Sequence, residues 1–596
     1  MSSSADKFVF DLSSEIESST NVFVKKDWIN ILDNMNQNYA SNQSVIDTSQ
    51  LSNSNKYMSY REAYLIVPML LTITNPSAAT GVTLFRPSVA ATSCDYSIGL
   101  KSWYGQIIHS FTLDYQGTTV IQQTPYINMY NSFRLLTSMS LQDVMSQGST
   151  IGFYPDDPLS FQFNTVAAGG TGGSGTCNNM INPNSCEASP SSGILFNSYN
   201  SSGGNIGALK RIQYINYDPD GVVGATAIAY STLQSAQACN NLWKSYIYNK
   251  LPGTDTTVSG VFQLAITATI YLKHIHSFFA MCPLLKGVFL KMTMNLNNTS
   301  ASFTCAGAAP NTTMALTSVS NAVGGCCPFL VSGQSFLNSD GITNQIVSHL
   351  GIGAYIASVS VGNTCLNTTQ FSIAGVAKGT LAASVYLYVP AYTFNPVFEQ
   401  AYLSSPIKQI CYTDVYQYQV LNVTAGNQFN NLLTNGIANI KSVLIIPFYS
   451  SAAGATNTGL PLGVPVYQSP FDTAGSGTTS PLCHITNFNV VVSGQNAIYN
   501  TQMRGYEQFN NQLYGTNAVN GGLTDGLCSG LISSLGFETS YCYYYVDVGR
   551  MLPVEESVPK SVQIIGTNQS ARAVDYYCFI SYQQTISIDI LTGSRV

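Results

Sequence analysis

Two stretches of this chain repeat one another at long range, and any fold must accommodate both. The first is Leu65, Ile66, Val67 and Pro68, followed by Phe111, Gly117 and Ile121. The second is Leu444, Ile445, Ile446 and Pro447, followed by Phe488, Gly494 and Ile498. Phenylalanine follows proline by 43 residues in one copy and 41 in the other, and the spacing from Phe through Gly to Ile is identical. Gly117 and Gly494 interrupt apolar runs, where glycine supplies a positive φ at little cost. A Tyr/Phe pair then follows each, Tyr130 with Phe133 and Tyr506 with Phe509. Their i,i+3 spacing predicts a short helix pressing one face onto the preceding strands. A strand–turn–strand–helix unit that occurs twice predicts duplicated β domains.

Composition says what such domains would do with their surfaces. Length is no obstacle, since 596 residues accommodate two large β domains. Charged residues are only 9% of the chain, against roughly 25% in ordinary soluble domains. With 37 Tyr and 27 Phe, this is a chain expected to bury much of itself against other protein surfaces. A neutral extracellular β protein is the plainer alternative. The formal charge of −6 and pI near 5.4 argue against a broadly basic nucleic-acid surface. The residues after Met1 carry little positive charge and no apolar run follows, so no secretory signal is expected. Residues 63–73 and 261–272 are the strongest apolar segments. They are too short for a membrane helix and suit buried strands.

Taken in order, residues 1–55 read as an N-terminal assembly arm. Trp28, Ile29, Ile31 and Leu32 would give a brief helix one apolar face, and residues 38–55 are polar. Strands are expected at 63–73, 107–115, 120–122 and 159–166, with a helix at 127–136 after the first hairpin. Residues 167–205 form a long Gly/Ser/Asn-rich loop. Strands resume at 208–214, 225–230, 261–272, 286–296, 352–359 and 381–388, with Pro390 ending the last. Residues 298–325 read as loop. The domain boundary is placed within 395–406. In the second domain, strands are expected at 415–423, 442–448, 488–492, 541–548, 561–565, 576–582 and 585–590. A helical turn is expected at 429–433, a loop at 454–477 and a helix at 505–514. Without regular crossover helices, antiparallel sandwiches are favoured over a parallel α/β fold.

Chemical motifs are sparse. There is no phosphate-binding loop, no H-E-x-x-H and no nucleophile elbow in a strand–turn–helix context. His274 and His276 would share a face on a strand, yet no Cys/His cluster accompanies them, and satisfied hydrogen-bonding histidines are expected. Asp156-Asp157 before Pro158 reads as a turn. Lys25-Lys26 reads as a solvated pair. The 14 cysteines show no ligand pattern, and Cys411, Cys483, Cys542 and Cys578 are expected as small buried thiols in or beside strands. N-x-[ST] triplets at Asn298, Asn311, Asn367 and Asn422 are expected to be unused. Aromatic residues are not interleaved with basic ones, so packing and subunit contacts are expected of them rather than base stacking. Accordingly no catalytic, cofactor-binding or metal-ligating residue is nominated.

A resemblance becomes specific in longer runs. Lys26-Asp27-Trp28 through Asp33, then residues 41–50, 53–57 and 60–64, resemble the start of the major capsid proteins of virophages and polinton-like viruses. Residues 386–392, 433–439 and 441–447 continue the match in order, and the resemblance spans nearly the whole chain. The loops at 167–205 and 454–477 are individual.

That resemblance implies an all-β double jelly roll: two upright eight-stranded antiparallel β-sandwiches with short helices and long surface loops. The division would be 1–55 arm, 56–400 first jelly roll and 401–596 second. It implies a non-enzymatic major capsid protein without cofactor. Its homotrimers would be pseudohexagonal capsomers tiling an icosahedral shell around double-stranded DNA. Partners would be neighbouring capsomers, penton and minor capsid proteins, and packaged DNA near the inner face, with the arm towards the interior. The place would be the virion capsid, assembled inside the infected host cell. The alternative is a receptor- or carbohydrate-binding β-sandwich protein on a virion or cell surface.

Overall fold

The computed structural model describes residues 21–74, 97–156, 261–306, 313–321, 324–332, 353–362, 384–450, 464–470, 479, 483–498, 505–519, 530–539, 541–548, 557–570 and 573–596, with short strand segments between 157 and 260. Sixteen strands build its frame. The first eight are β1 (Phe23–Leu32), β2 (Gln43–Asp47), β3 (Tyr64–Thr74), β4 (Ile108–Tyr115), β5 (Thr118–Ile121), β6 (Val261–Tyr271), β7 (Leu290–Leu296) and β8 (Tyr386–Phe394). The second eight are β9 (Ile407–Val423), β10 (Gln428–Ile437), β11 (Ile440–Tyr449), β12 (Ile485–Val492), β13 (Gln495–Asn496), β14 (Tyr544–Asp547), β15 (Lys560–Asn568) and β16 (Val574–Asp589).

Their pairing repeats. The first set forms β1-β8-β3-β6 facing β2-β7-β4-β5, and the second β9-β16-β11-β14 facing β10-β15-β12-β13. Every one of these pairings is antiparallel. First pairs with last and second with seventh in both barrels, which is the jelly-roll order.

The sequence explains which faces are buried. In β7, Leu290, Met292, Met294 and Leu296 are buried while alternate residues are not, the period of a strand with one wet face. β11 is different, being buried almost throughout. Val443 and Ile445 enter the core of the second barrel, whereas Leu444, Ile446 and Phe448 enter a core shared with the first. A strand covered on both faces loses its alternation and reads as a continuous apolar run.

The repeated turns hold. Gln116-Gly117 joins β4 to β5 with φ of 49° and 79°, and Ser493-Gly494 joins β12 to β13 with φ of 48° and 83°. Positive φ at both central positions is the two-residue hairpin turn that matches strand twist. The helices also hold: α1 (Ile127–Ser138) carries Tyr130 and Phe133. After α2 (Leu141–Ile151) and α3 (Pro396–Leu403), α4 (Tyr506–Val519) carries Tyr506 and Phe509. α5 (Ser534–Thr539) follows it.

Other expectations change. Residues 23–47 are not an arm. In β1, Trp28 lies opposite Pro390 and Leu32 opposite Tyr386, while Ile46 of β2 lies opposite Met292. The apolar residues of β1 fit a helix face as well as an edge strand with only Ile31 fully buried. Residues 1–20 lie outside the described residues. Pro390 does not end its strand, because its carbonyl still accepts from Ser59 N at 3.0 Å and pairing runs on to Phe394.

Phe429 and Leu433, four apart, are both buried in β10 rather than in a helical turn, and the register shifts between Leu432 and Thr434. Residues expected as loop after 298 pair as a hairpin, Thr299–Ala306 with Thr313–Asn321. Gly353–Val361 then pairs with the far half of β3. The two last expected strands are one, β16. The repeat itself is out of phase in one part. Leu65 and Val67 alternate with partly exposed neighbours and are buried in their own barrel, whereas Leu444 and Ile446 face the other barrel. The expected strand at 225–230 and most of 167–205 and 454–477 lie outside the described residues.

Candidate functional site

Two surfaces concentrate the side chains that the frame leaves over. One is the seam between the barrels. Here α1 is buried on nearly every side. Phe133 meets Tyr543 and Tyr545 at ring distances of 5.0 and 5.8 Å, Tyr130 meets Phe579, and Tyr126 meets Tyr577. Several polar groups are paired across the seam, as most buried polar atoms are, while Tyr543 Oη and Tyr577 Oη have no hydrogen-bond partner among the described residues. Thr124 Oγ1 donates to Val415 O at 2.7 Å, Tyr412 Oη to Val120 O at 2.8 Å and Tyr541 Oη to Asp156 O at 2.8 Å. Lys101, 1% exposed, donates to Ser469 O at 2.7 Å. Ser277 Oγ donates to Thr413 O and accepts from Thr413 N. One hydrophobic core runs through both barrels, including Phe133, Ile410 and Phe579.

The second surface is the outer face of β1-β8-β3-β6. Tyr388, Tyr64 and Tyr271 stand directly opposite one another on three neighbouring strands. Tyr64 stacks on Tyr388 at 5.3 Å and 9° and meets Tyr271 at 5.7 Å. Trp28 of β1, 49% exposed, joins the row at 5.5 Å from Tyr64. Such cross-strand aromatic neighbours stabilise a sheet. Beside them lies a cleft of about 550 Å³ lined by Trp28, Arg61, Glu62, Tyr64, Tyr271 and Lys273. Lys26 Nζ holds Glu62 at 2.7 Å and lies over the Trp28 ring. Lys273 lies over Tyr271. Among the described residues, neither Arg61 nor Lys273 has an acidic partner. The cleft is thus cationic in a chain that is acidic overall.

Over the whole sequence aromatic and basic residues are not interleaved, so this patch is missed at that level. The signal is present locally, as Lys26 before Trp28, Arg61 before Tyr64 and Lys273 after Tyr271. Strand pairing brings the three together across 247 positions of chain.

His274 lies within the helical turn Leu272–Ile275 and His276 just after it, so they do not share a strand face. His276 Nε2 lies 3.4 Å from Asp414 Oδ1, and its Nδ1 accepts from Phe278 N. His274 Nε2 has no partner among the described residues. Burial first, then Lys273 and Arg134, push its pKa down to about 3. Lys25 pairs with Asp27 at 3.0 Å. Asp156 is buried. Cys483, Cys542 and Cys578 are buried free thiols, while Cys411 is exposed on β9, contrary to expectation, because β9 is an edge strand. Cys326 and Cys327 are buried too, and burial pushes the Cys326 thiol up to about 12. Among the described residues no three His, Cys, Asp or Glu side chains are grouped to hold a metal ion, and no helix is long and apolar enough to cross a membrane.

Two sets of eight strands in this order define a double jelly-roll protein. Solved structures similar to the chain include that of the Sputnik virophage by cryo-EM, at 13% identity, 98% of this chain, 90% of that one and TM-score 0.44. The mavirus major capsid protein aligns at 11% identity, 100% of this chain, 94% of that one and TM-score 0.42. The Faustovirus major capsid protein aligns at 9%, 98%, 94% and TM-score 0.38. The fold assignment rests on strand order and not on these superpositions. No family model and no curated protein matches the chain.

Proposed function

We propose that this protein is a major capsid protein, a structural subunit of a virion. In this reading three copies form a pseudohexagonal capsomer, and capsomers tile an icosahedral shell around double-stranded DNA. The observation that carries it is the union of two barrels with identical strand order by one continuous core. A flexible tandem would place its barrels variably, whereas a fused pair presents a block of fixed shape, as a tiling requires. Three such blocks supply six similar towers, so hexagonal packing follows without six identical chains. The number three comes from the sequence resemblance to virophage and polinton-like capsid proteins. Penton and minor capsid proteins would then be partners at positions a hexagonal unit cannot fill. Negative-stain imaging of the purified protein tests the reading: hexagonal rings of one size are expected, and a field of single particles without rings at all concentrations would refute it.

A further inference from the structure

The seam joins unlike sides of the two barrels. The first barrel contributes α1, which lies between its fifth and sixth strands. The second contributes the outer face of β9-β16-β11-β14, through Tyr543, Tyr545, Tyr577 and Phe579. Because the barrels share one strand order, each of these sides has a counterpart. The counterpart of the buried sheet face is the outer face of β1-β8-β3-β6, with its row of half-buried tyrosines ending in the exposed Trp28. The counterpart of α1 is α4, between β13 and β14, followed by α5.

Neither counterpart is covered as its twin is. On α4, Phe509 and Leu513 are buried inward, while Glu507 and Asn511 on the other side are exposed. On α5, Leu535 is 51% exposed and Glu538 is exposed. The described residues of this outer side carry two carboxylates and no cation. Facing them in kind are Arg61 and Lys273, two cations without acidic partners beside Trp28, Tyr64 and Tyr271.

We infer that the aromatic cleft of one copy receives the α4–α5 side of a second copy, with Arg61 and Lys273 set against Glu507 and Glu538. The inference rests on the reading that copies assemble, and adds which faces meet. The contact repeats the seam between molecules instead of within one. It is heterologous, one patch meeting a different patch, so it forms rings or open chains and not two-fold dimers. Aromatic rings supply contact area, and the opposed charges fix register and exclude wrong partners. A nucleic acid, also able to use aromatics and cations, is disfavoured by Glu62 in the lining and is tested as a rival.

The test is a charge swap in the full chain. Arg61→Glu with Lys273→Glu should weaken self-association by at least about tenfold, since two attractions become repulsions. Glu507→Lys with Glu538→Arg should do the same. All four together should restore association, which a folding defect would not allow. Analytical ultracentrifugation reads the constants, and circular dichroism checks the fold. A Lys273→Cys, Leu535→Cys pair should cross-link copies into closed trimers, while Leu535→Cys alone should not. Wild-type trimers unaffected by both double substitutions would overturn this contact but leave the capsid reading standing. Absence of any oligomer of the wild type would overturn both. Protection of Lys273 from acylation and of Arg61 from phenylglyoxal by a 20-mer oligonucleotide, but not by assembly, would assign the cleft to nucleic acid and overturn the inference.

Discussion

His109 of β4 is buried edge-on to Tyr126 with ring centroids 4.8 Å apart, and its Nδ1 has no partner among the described residues. Burial pushes its pKa down from 6.5 to about 4. His274 is held lower still, at about 3. Both are neutral in the folded chain and would charge on unfolding below pH 6.5. Their contribution is therefore fully present above pH 6.5 and is lost as pH falls through about 4 for His109 and about 3 for His274. For His109 the full effect is on the order of 3 kcal/mol. Asp33 and Asp575, pushed up by burial, work in the opposite direction at the acid end. The histidine part is read by difference: the thermal midpoint of the wild type should fall between pH 7 and 4.5, and that of His109→Gln should fall less. Equal slopes would contradict it. Among single residues, Gly117 and Gly494 were the most legible in the sequence, because a turn with positive φ leaves few choices of residue. His109 was not, since nothing local marks a histidine that tertiary packing will leave without a partner.

At the scale of elements, legibility followed local periodicity. The strands β3, β7 and β11 and the helices α1 and α4 were visible because their apolar spacing is strong. β1 and β10 were not. In each, i,i+3 or i,i+4 apolar pairs satisfy a helix and a half-buried strand alike, and only partners far along the chain decide. The partner of β1 lies some 360 residues away, as Trp28 opposite Pro390 shows. Pairing of first strand with last leaves no signature in local periodicity, so only the resemblance implied the barrel order that the structure shows. The seam was half legible. The Tyr/Phe spacing announced α1, but not that its aromatic side would meet a second barrel instead of its own sheet alone. Phe133 is 0% exposed against Tyr543 and Tyr545. Phe133→Ala should cost about 3–5 kcal/mol. The interior core of the second barrel does not include Phe133. Hydrogen exchange should therefore quicken in β4 and along α1 while β12 and β15 keep their protection. Uniform loss across both barrels would show that the seam and the second core unfold as one.

At the scale of the whole molecule, the scarcity of charge becomes a statement about assembly. The ion pairs among the described residues are few, and those on the surface lie around β1 and α3: Lys25–Asp27, Lys26–Glu62, Lys56–Asp27 and Lys286–Glu399. Exposed pairs of this kind contribute about 0–1 kcal/mol each. Large apolar side chains, by contrast, stand exposed along both outer edge strands, Val24, Trp28 and Leu32 on β1 and Ile407 and Leu421 on β9. Covering several hundred Å² of such surface at roughly 25 cal/mol per Å² contributes several kcal/mol before association costs are subtracted. Screening at 1 M salt, with a Debye length of about 3 Å, removes most of the attraction between exposed charges and leaves the apolar part untouched. Self-association should therefore weaken less than about tenfold between 0.1 and 1 M NaCl, even with the Arg61 and Lys273 contacts screened. Light scattering on a sizing column should report about three times 64.1 kDa at both salt concentrations. Reversing those two cations should do more harm than salt does, because repulsion replaces attraction instead of merely removing it. Dissociation to a 64.1 kDa species in high salt would mean that the interface is mainly ionic, and that the aromatic row serves the sheet of its own barrel and not the neighbouring copy.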